Sequence, residues 1–378
     1  MLPTHVDMYM GDVHIPQKCS VRYAGVCIST VSTLERTKSV CEKMRNMINA
    51  NHNNGIRFGG FNPIAAIRVW ERVIFACCLY GCNVWGKLTK KEYAMLDTVQ
   101  RYFCNKIQGF HKRTPTIVAL DAIGMFPIQY YIDKRALAFF GKLCNSNHCY
   151  IFKKLFQTRL GQYLCGKDTD NKWSRNSPLF HIFDLLRKYD LTADLNSYVQ
   201  TGSFLNKNQW SNKVSENMYT YYIDLLNREL STRHSLSRYK KIRTSKVHRL
   251  WLLSLDRPEH FFDIARLVRY STAEIVSREC KCGIVANDFV KHVYMTCNLN
   301  SNDRDVLLNV ICDKIDINVF VKLWMNDDDV MLEFLLGGAP LHCIQDIPYD
   351  DWAEIMTLVS VFTKKWNHLL SQVYNYTS

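Results

Sequence analysis

The sequence predicts a mainly α protein with a short β element at its N-terminus. β-Forming residues grouped around turn signals are confined to about residues 1–30. From residue 32 onward apolar residues recur at helical spacing, with Gly and Pro punctuating the segments they form. Hydrophobic residues make up 47% and charged residues 22% of the 378. That composition fits a soluble, globular chain with room for two or three compact domains, and it excludes disorder over most of the length.

In chain order, Tyr9-Met10 leads into the turn signal Gly11-Asp12; His14-Ile15-Pro16 and the β-rich run Val21 to Ile28 then complete a hairpin or small meander. Two strands alone are marginally stable, so this piece needs a packing partner. The first helix is expected over 32–50, opened by Thr33-Leu34-Glu35-Arg36, with Val40, Met44, Met47 and Ile48 as its apolar stripe. Asn51 to Gly60 is a loop. A second helix, Pro63 to Tyr80, carries Ile64, Ile67, Val69, Trp70, Val73 and Ile74 over most of its surface and is expected to be central. A third runs from Thr89, its N-cap, to Ile107, a fourth from Thr116 to Ala122 and a fifth from Ile128 to Cys144. Gly109, Gly124 and Pro127 lie in the connections. Residues 146–260 read as helical but less patterned, with a polar linker from Lys167 to Ser177. Residues 305–375 return to helix, interrupted at Gly337-Gly338-Ala339-Pro340 and Ile347-Pro348.

The formal net charge is +13 and the pI about 9.0. Such an excess favours a polyanionic partner, nucleic acid before an anionic membrane surface, although an ordinary basic protein has the same balance. No secretory signal is visible, and the most apolar stretch, Val73 to Tyr80, is far shorter than the ~20 residues of a spanning helix. A nuclear or cytoplasmic location without membrane association is therefore expected. The 15 cysteines should there be reduced thiols or metal ligands. Cys77, Cys78 and Cys104 sit in apolar surroundings and read as small core residues.

One group reads differently. Cys280, Cys282, His292 and Cys297 fall on one short segment, and three thiols with an imidazole can close a tetrahedral Zn²⁺ site. Gly283 permits the tight turn that aims both sulfurs of Cys280-Lys281-Cys282 at one ion. Four protein ligands leave no open position, so the zinc would be structural. The single residue between Cys280 and Cys282 also leaves open a reading with some thiols unliganded. Between Ser231 and Leu250, Arg233, Arg238, Lys240, Lys241, Arg243, Lys246 and Arg249 form a basic run without an acidic residue. It suits a phosphate-binding helix face, with Tyr239 and His248 placed to stack on bases, and equally a solvated face.

Three stretches resemble the C-terminal half of non-LTR (LINE-type) retrotransposon reverse transcriptases. Val21-Arg22-Tyr23-Ala24-Gly25-Val26 looks like the family's K-Y-L-G-V strand, with Tyr9 to Pro16 as its partner strand; Ala24 departs from the family's Leu. Leu79-Tyr80-Gly81-Cys82-Asn83-Val84-Trp85 matches L-Y-G-x-x-x-W. The following Leu96, Gln100, Arg101, Phe103 and Gly109 match L-x-x-x-Q-R-x-F-x-x-x-x-x-G. Arg113-Thr114-Pro115, Gly124-Met125-Phe126-Pro127 and Arg135, Leu137 and Phe139 continue the series, with Ile128 in place of a Leu. Cys280-Lys281-Cys282-Gly283, His292, Cys297 and Arg304 resemble the family's zinc-binding tail.

The resemblance implies a palm remnant over 1–30, a thumb-like helical domain over 31–145 and a helical connector with the basic segment over 146–260. A zinc-binding element over 261–310 and a C-terminal helical segment over 311–378 complete it. The implied partner is RNA or DNA, as template–primer or target. Lys87, Lys90, Lys91, Arg101, Lys106, Lys112 and Arg113 are the phosphate-contact candidates in the thumb. Trp85 and Tyr80 are expected to pack a helix junction.

The family's Tyr-x-Asp-Asp turn, which holds the two metal ions of polymerisation, does not occur. Asp327-Asp328-Asp329 reads as a solvated acidic loop. Pro348-Tyr349-Asp350-Asp351 with Glu354 is a poor match to an endonuclease set. The expectation is a truncated reverse-transcriptase fragment that binds nucleic acid and has no catalytic residues. Mg²⁺ would enter only with a palm supplied from upstream or by a partner chain. Two rivals stand beside it: part of an active reverse transcriptase whose palm lies upstream, and a helical interaction protein with no nucleic-acid role.

Overall fold

The structure, a computed structural model, describes residues 8–15, 20–23, 26–29, 33–146, 150–165, 178–243, 246–325, 328–338 and 347–374. The linker expected at Lys167 to Ser177 lies outside these, as do Pro16, Ala24, Gly25, Asp327, Ala339 and Pro340. Helices dominate, with short antiparallel hairpins near the N-terminus, as the sequence predicts. The strands are β1 (Met8–Met10), β2 (Val13–Ile15), β3 (Ser20–Tyr23) and β4 (Val26–Ser29). The next helices are α1 (Leu34–Ala50), α2 (Pro63–Val69), α3 (Phe75–Cys78), α4 (Lys90–Gln108), α5 (Thr116–Asp121), α6 (Ile128–Cys144) and α7 (Tyr150–Leu164). Then come α8 (Pro178–Lys188), α9 (Thr192–Thr201), α10 (Lys207–Thr232), α11 (Ser237–Ile242), α12 (Arg249–Asp256) and α13 (Phe261–Ser271). The last stretch holds β5 (Arg278–Glu279), β6 (Val285–Ala286), α14 (Phe289–Lys291), α15 (Ser301–Lys314), α16 (Ile317–Met325), α17 (Asp328–Leu335), α18 (Tyr349–Lys365) and α19 (Asn367–Leu370).

Several expectations are corrected. β1 pairs with β2, and β3 with β4, so Met8–Ile15 is a hairpin of its own, not the partner of the second β run. That second run is itself two strands, with Tyr23 opposite Val26. The segment expected as one helix over 63–80 is helical without interruption from Pro63 to Cys78, but widens into a π turn at Trp70–Ile74 between α2 and the one-turn α3. It is not apolar all round, because Val73 and Cys77 are exposed. Tyr80 is also exposed, at 60%, whereas Trp85 is buried beneath the Arg36 guanidinium. Asp328 and Asp329 open α17, where carboxylates favour a helix N-terminus, instead of lying in a loop.

By contacts the chain forms two compact units made of alternating segments: of the five stretches read from the sequence, 31–145 and 146–260 are each divided between the units, 1–30 falls in the first, and 261–310 and 311–378 fall in the second. The first unit takes Met1–Met47, Glu71–Val99 and Ile128–Met218. Thr89 caps α4 as expected, reciprocally with Glu92, whose carboxylate also accepts from Thr37 on α1. After α3 the backbone turns through Gly81 at φ 74°, a left-handed conformation that glycine adopts without steric cost. Arg135 of α6 holds that turn by donating to the carbonyls of Leu79 and Phe75. Phe140, Phe156, Phe204 and Trp210 form an aromatic core, and the fully buried Asp133 accepts through Oδ2 from Lys188 and the Tyr189 hydroxyl, while its Oδ1 has no hydrogen-bond partner among the described residues.

The second unit takes Ile48–Trp70, Gln100–Pro127 and Tyr219–Ser378. Trp70 stacks on Phe103 at 4.4 Å. Gln108, wholly buried, donates to the Ala119 carbonyl and accepts from Trp251 Nε1. α13 packs against α12 and α18. This framework carries the Cys/His segment.

Candidate metal centre

The segment begins as a hairpin. β5 and β6 pair Arg278 with Ala286 and Glu279 with Val285, which sets Cys280 and Cys282 at the connecting turn. Cys280 N–H donates to the Ile284 carbonyl and Gly283 N–H to the Cys280 carbonyl, both at 2.8 Å. Gly283 takes φ 86°, open to it because it has no Cβ. The Asp288 carboxylate then caps α14 by accepting from Lys291 N–H at 3.0 Å. α14 runs into a π turn, His292–Thr296, closed by Cys297 N–H to the His292 carbonyl at 2.8 Å. A hydrogen bond between residues five apart stacks Cys297 over His292, a pairing an ordinary α-turn would rotate away.

These two pieces bring four donor atoms within 4.8 Å of one another: the sulfurs of Cys280, Cys282 and Cys297 and a ring nitrogen of His292. Cys280 and Cys297 Sγ are 3.8 Å apart. A tetrahedral ion with metal–sulfur bonds of about 2.3 Å has sulfur–sulfur edges of about 3.8 Å. Cys282 Sγ lies 3.2 Å from His292 Nε2, a somewhat shorter edge. The group can hold a metal ion.

Without an ion, the electrostatics of the group are mixed. Burial lifts Cys282, but hydrogen bonds from the Ile284 backbone and its neighbouring thiols outweigh this and hold it below the ordinary thiol value. Cys297 is pushed up to about 11, chiefly by burial. Burial, helped by Arg304, lowers His292 and keeps its ring neutral, as ligation requires. Thr296 Oγ1 lies 3.0 Å from His292 Nδ1 and 3.4 Å from the His292 carbonyl. If its single proton goes to the carbonyl, it accepts from Nδ1–H, and Nε2 presents its lone pair to the sulfurs. Arg304 donates to the Cys297 carbonyl and to Asn300 Oδ1.

The basic residues are distributed differently from a single charged face. Residues 231–250 are not one helix: they comprise the end of α10, a short 3-10 turn, α11 and the start of α12. Arg238 is 5% exposed and held by both oxygens of Asp288 at 2.7 and 2.6 Å. Arg243 binds Asp121, Lys241 pairs with Glu333, and Arg249 lies over the Trp352 ring. Arg233, Lys240 and Lys246 are exposed. Tyr239 and His248, expected to stack on bases, are buried, bonded to Asp121 and Ser271. Of the thumb set, Lys112 and Arg113 are exposed, Arg101 half-buried, and Lys106 donates to Asn49 in the second unit. In the first unit, Lys90 and Lys91 are exposed, and Lys87 pairs with Asp184 at the surface.

Asp288 and Thr296 escaped the sequence reading, although an Asp just before an apolar turn and a Thr four residues after a His are both visible signals. Compared with protein-family models, curated proteins and solved structures, the chain matches none. Fold and site define it as a mainly helical protein with a Cys₃His group able to hold a metal.

Proposed function

We propose that the chain is a zinc-stabilised nucleic-acid-binding protein related to the thumb and tail of LINE-type reverse transcriptases. The observation that carries this is the Cys280, Cys282, His292 and Cys297 group. Its donor set is that of structural zinc, and it follows the thumb-like motifs in the order the resemblance implies. The net charge of +13 supports a polyanionic partner, RNA or DNA. Phosphate contact falls to the exposed cations: Lys112, Arg113, Arg233, Lys240 and Lys246 in one unit, Lys90 and Lys91 in the other. Such contacts position a duplex without reading its sequence. Binding, not nucleotide transfer, is the activity proposed, since Tyr-x-Asp-Asp is missing from this sequence. Mg²⁺ chemistry would need a palm from elsewhere. Reduced thiols at the metal group suit the nucleus or cytoplasm.

The test is fluorescence anisotropy of a labelled RNA–DNA hybrid at about 50 and 200 mM salt, where neutralising about five phosphates weakens affinity by a few hundredfold. Glutamate at Lys112, Arg113, Arg233 and Lys240 should abolish binding while leaving the circular dichroism spectrum intact. A second reading, a helical interaction protein, is favoured by the exposed Ile317, Val321 and Trp324 on α16. Failure of the folded, zinc-loaded chain to bind at low salt would select it.

A further inference from the structure

The Gly-rich loop between α1 and α2, in the second unit, has no part in the metal group. Gly55-Ile56-Arg57-Phe58-Gly59-Gly60-Phe61 turns back on itself: Phe61 N–H donates to the Gly55 carbonyl at 2.9 Å and Gly60 N–H to the Arg57 carbonyl at 3.0 Å. Its glycines are seats for aromatic rings. A Cβ on Gly55 would lie 2.8 Å from the Phe61 ring, and one on Gly59 2.8 Å from the ring of Phe262 at the start of α13. Gly109, just after α4, seats Phe58 in the same way, at 2.6 Å. Phe58 in turn meets Phe262 edge to face, with ring centres 5.6 Å apart. The outer rings are fixed against main chain yet open to water: Phe61 is 43% and Phe262 50% exposed. A single exposed ring is ordinary, but two seated on one loop make a preorganised platform.

Cations surround this platform. Arg57, within the loop, is exposed. Arg269 lies 6.0 Å from the Phe58 ring centre. Burial lowers the His111 pKa, and Arg113, Lys112 and Arg269 lower it further, which places those three charges in one neighbourhood. Of the acids near Phe262, Asp263 is engaged by Arg266 and Lys364, and Asp256 accepts from the Tyr349 hydroxyl. Glu259 stays exposed beside His260. Phosphate contacts to a duplex leave such rings unused, because paired bases already stack on one another. An unpaired strand offers a charged backbone and bare π faces together, which is the combination that aromatic side chains in a cationic setting hold.

We propose that Phe61 and Phe262 form a stacking platform for the unpaired bases of a nucleic-acid strand whose phosphates meet Arg57, Lys112 and Arg113. The proposal rests on the nucleic-acid-binding reading above and narrows its ligand to strands with unpaired bases.

The experiment is fluorescence anisotropy of the full, zinc-loaded chain with a labelled oligothymidylate of about 12 nucleotides and with an abasic strand of the same length and charge. The thymidylate should bind roughly 5- to 150-fold more tightly, the gain expected from one stacked base. F61A/F262A should remove that gain while leaving the abasic affinity and the salt dependence of binding unchanged, since stacking neutralises no phosphate. F61L/F262L, which keeps apolar bulk on the glycines, should lose the gain as well, and the wild-type comparison of the two strands needs no variant to fold. Equal affinity of the wild-type chain for the two strands, or a full base-dependent gain in folded F61L/F262L, would overturn the platform while leaving phosphate binding in place. Failure of the wild-type chain to bind either strand or the RNA–DNA hybrid at low salt would overturn both the platform and the reading beneath it.

Discussion

Replacing Asp288 with Ala removes one carboxylate that has two tasks. It accepts two hydrogen bonds from Arg238 and caps α14 through Lys291 N–H. Arg238 is 5% exposed, so D288A leaves a guanidinium out of water with the Ala273 carbonyl, at 3.1 Å, as its remaining acceptor. Stranding a buried charge costs about 3–5 kcal/mol, and a lost N-cap about 1 kcal/mol. The Asp288 side chain is itself 19% exposed, so water can reach the vacated space and the lower end applies. The expected loss is about 4 kcal/mol, a large share of a typical native stability of roughly 5–15 kcal/mol. Removing both charges as R238M/D288A should recover all but the cap, leaving a loss of about 1 kcal/mol. Urea denaturation followed by far-ultraviolet circular dichroism, with zinc in excess, measures all three differences. A D288A loss below about 1 kcal/mol, the size expected of a surface pair, would refute the reasoning.

Three further outcomes are expected. Thr296→Val removes the acceptor facing His292 Nδ1, and Co²⁺ affinity, read from the thiolate-to-metal absorption band, should fall about 10- to 100-fold. Gly141→Ala forces its methyl onto Trp210 and should cost about 1–3 kcal/mol in the same urea assay, with a shifted tryptophan emission. His248, buried against Ser271, is lowered by burial to about 4 from 6.5. The unfolded chain therefore takes up the proton first. The stability this ring contributes is complete above pH 6.5 and is lost as pH falls toward 4, by about 3 kcal/mol in all. His248→Asn should flatten that acid slope; an unchanged slope assigns the loss to other groups.

Helical period and capping chemistry were legible where one face of a segment is buried. α6 has the ends expected of it, and Thr89 with Glu92 announces α4. The π turn at Trp70–Ile74 was not legible, because an inserted residue leaves the apolar composition unchanged while rotating the residues beyond it, so Val73 faces out. The metal group was legible because its four ligands lie within one short stretch. The fate of the basic run was not. Arg238 and Arg243 find their carboxylates 50 and 122 residues away, a distance over which neighbouring charges say nothing. A run without acids in sequence finds carboxylates for Arg238, Lys241 and Arg243 once the chain folds, and Arg233, Lys240, Lys241 and Lys246 keep the exposure that their charge suggested.

The alternation of segments between the two units sets how the protein can be divided. A polypeptide starting at Tyr219 would carry every metal ligand, yet it would leave Trp251 without Gln108 and Arg243 and Tyr239 without Asp121. Those partners lie on the stretch Gln100–Pro127, inserted between two pieces of the other unit. Dissection by simple cuts would thus yield stranded polar groups, and a peptide spanning 100–127 added in trans should be the piece that rescues them. Ribosomal synthesis imposes the same order, since the stretch emerges long before the helices it serves and must wait, half-dressed, for Trp251 to arrive.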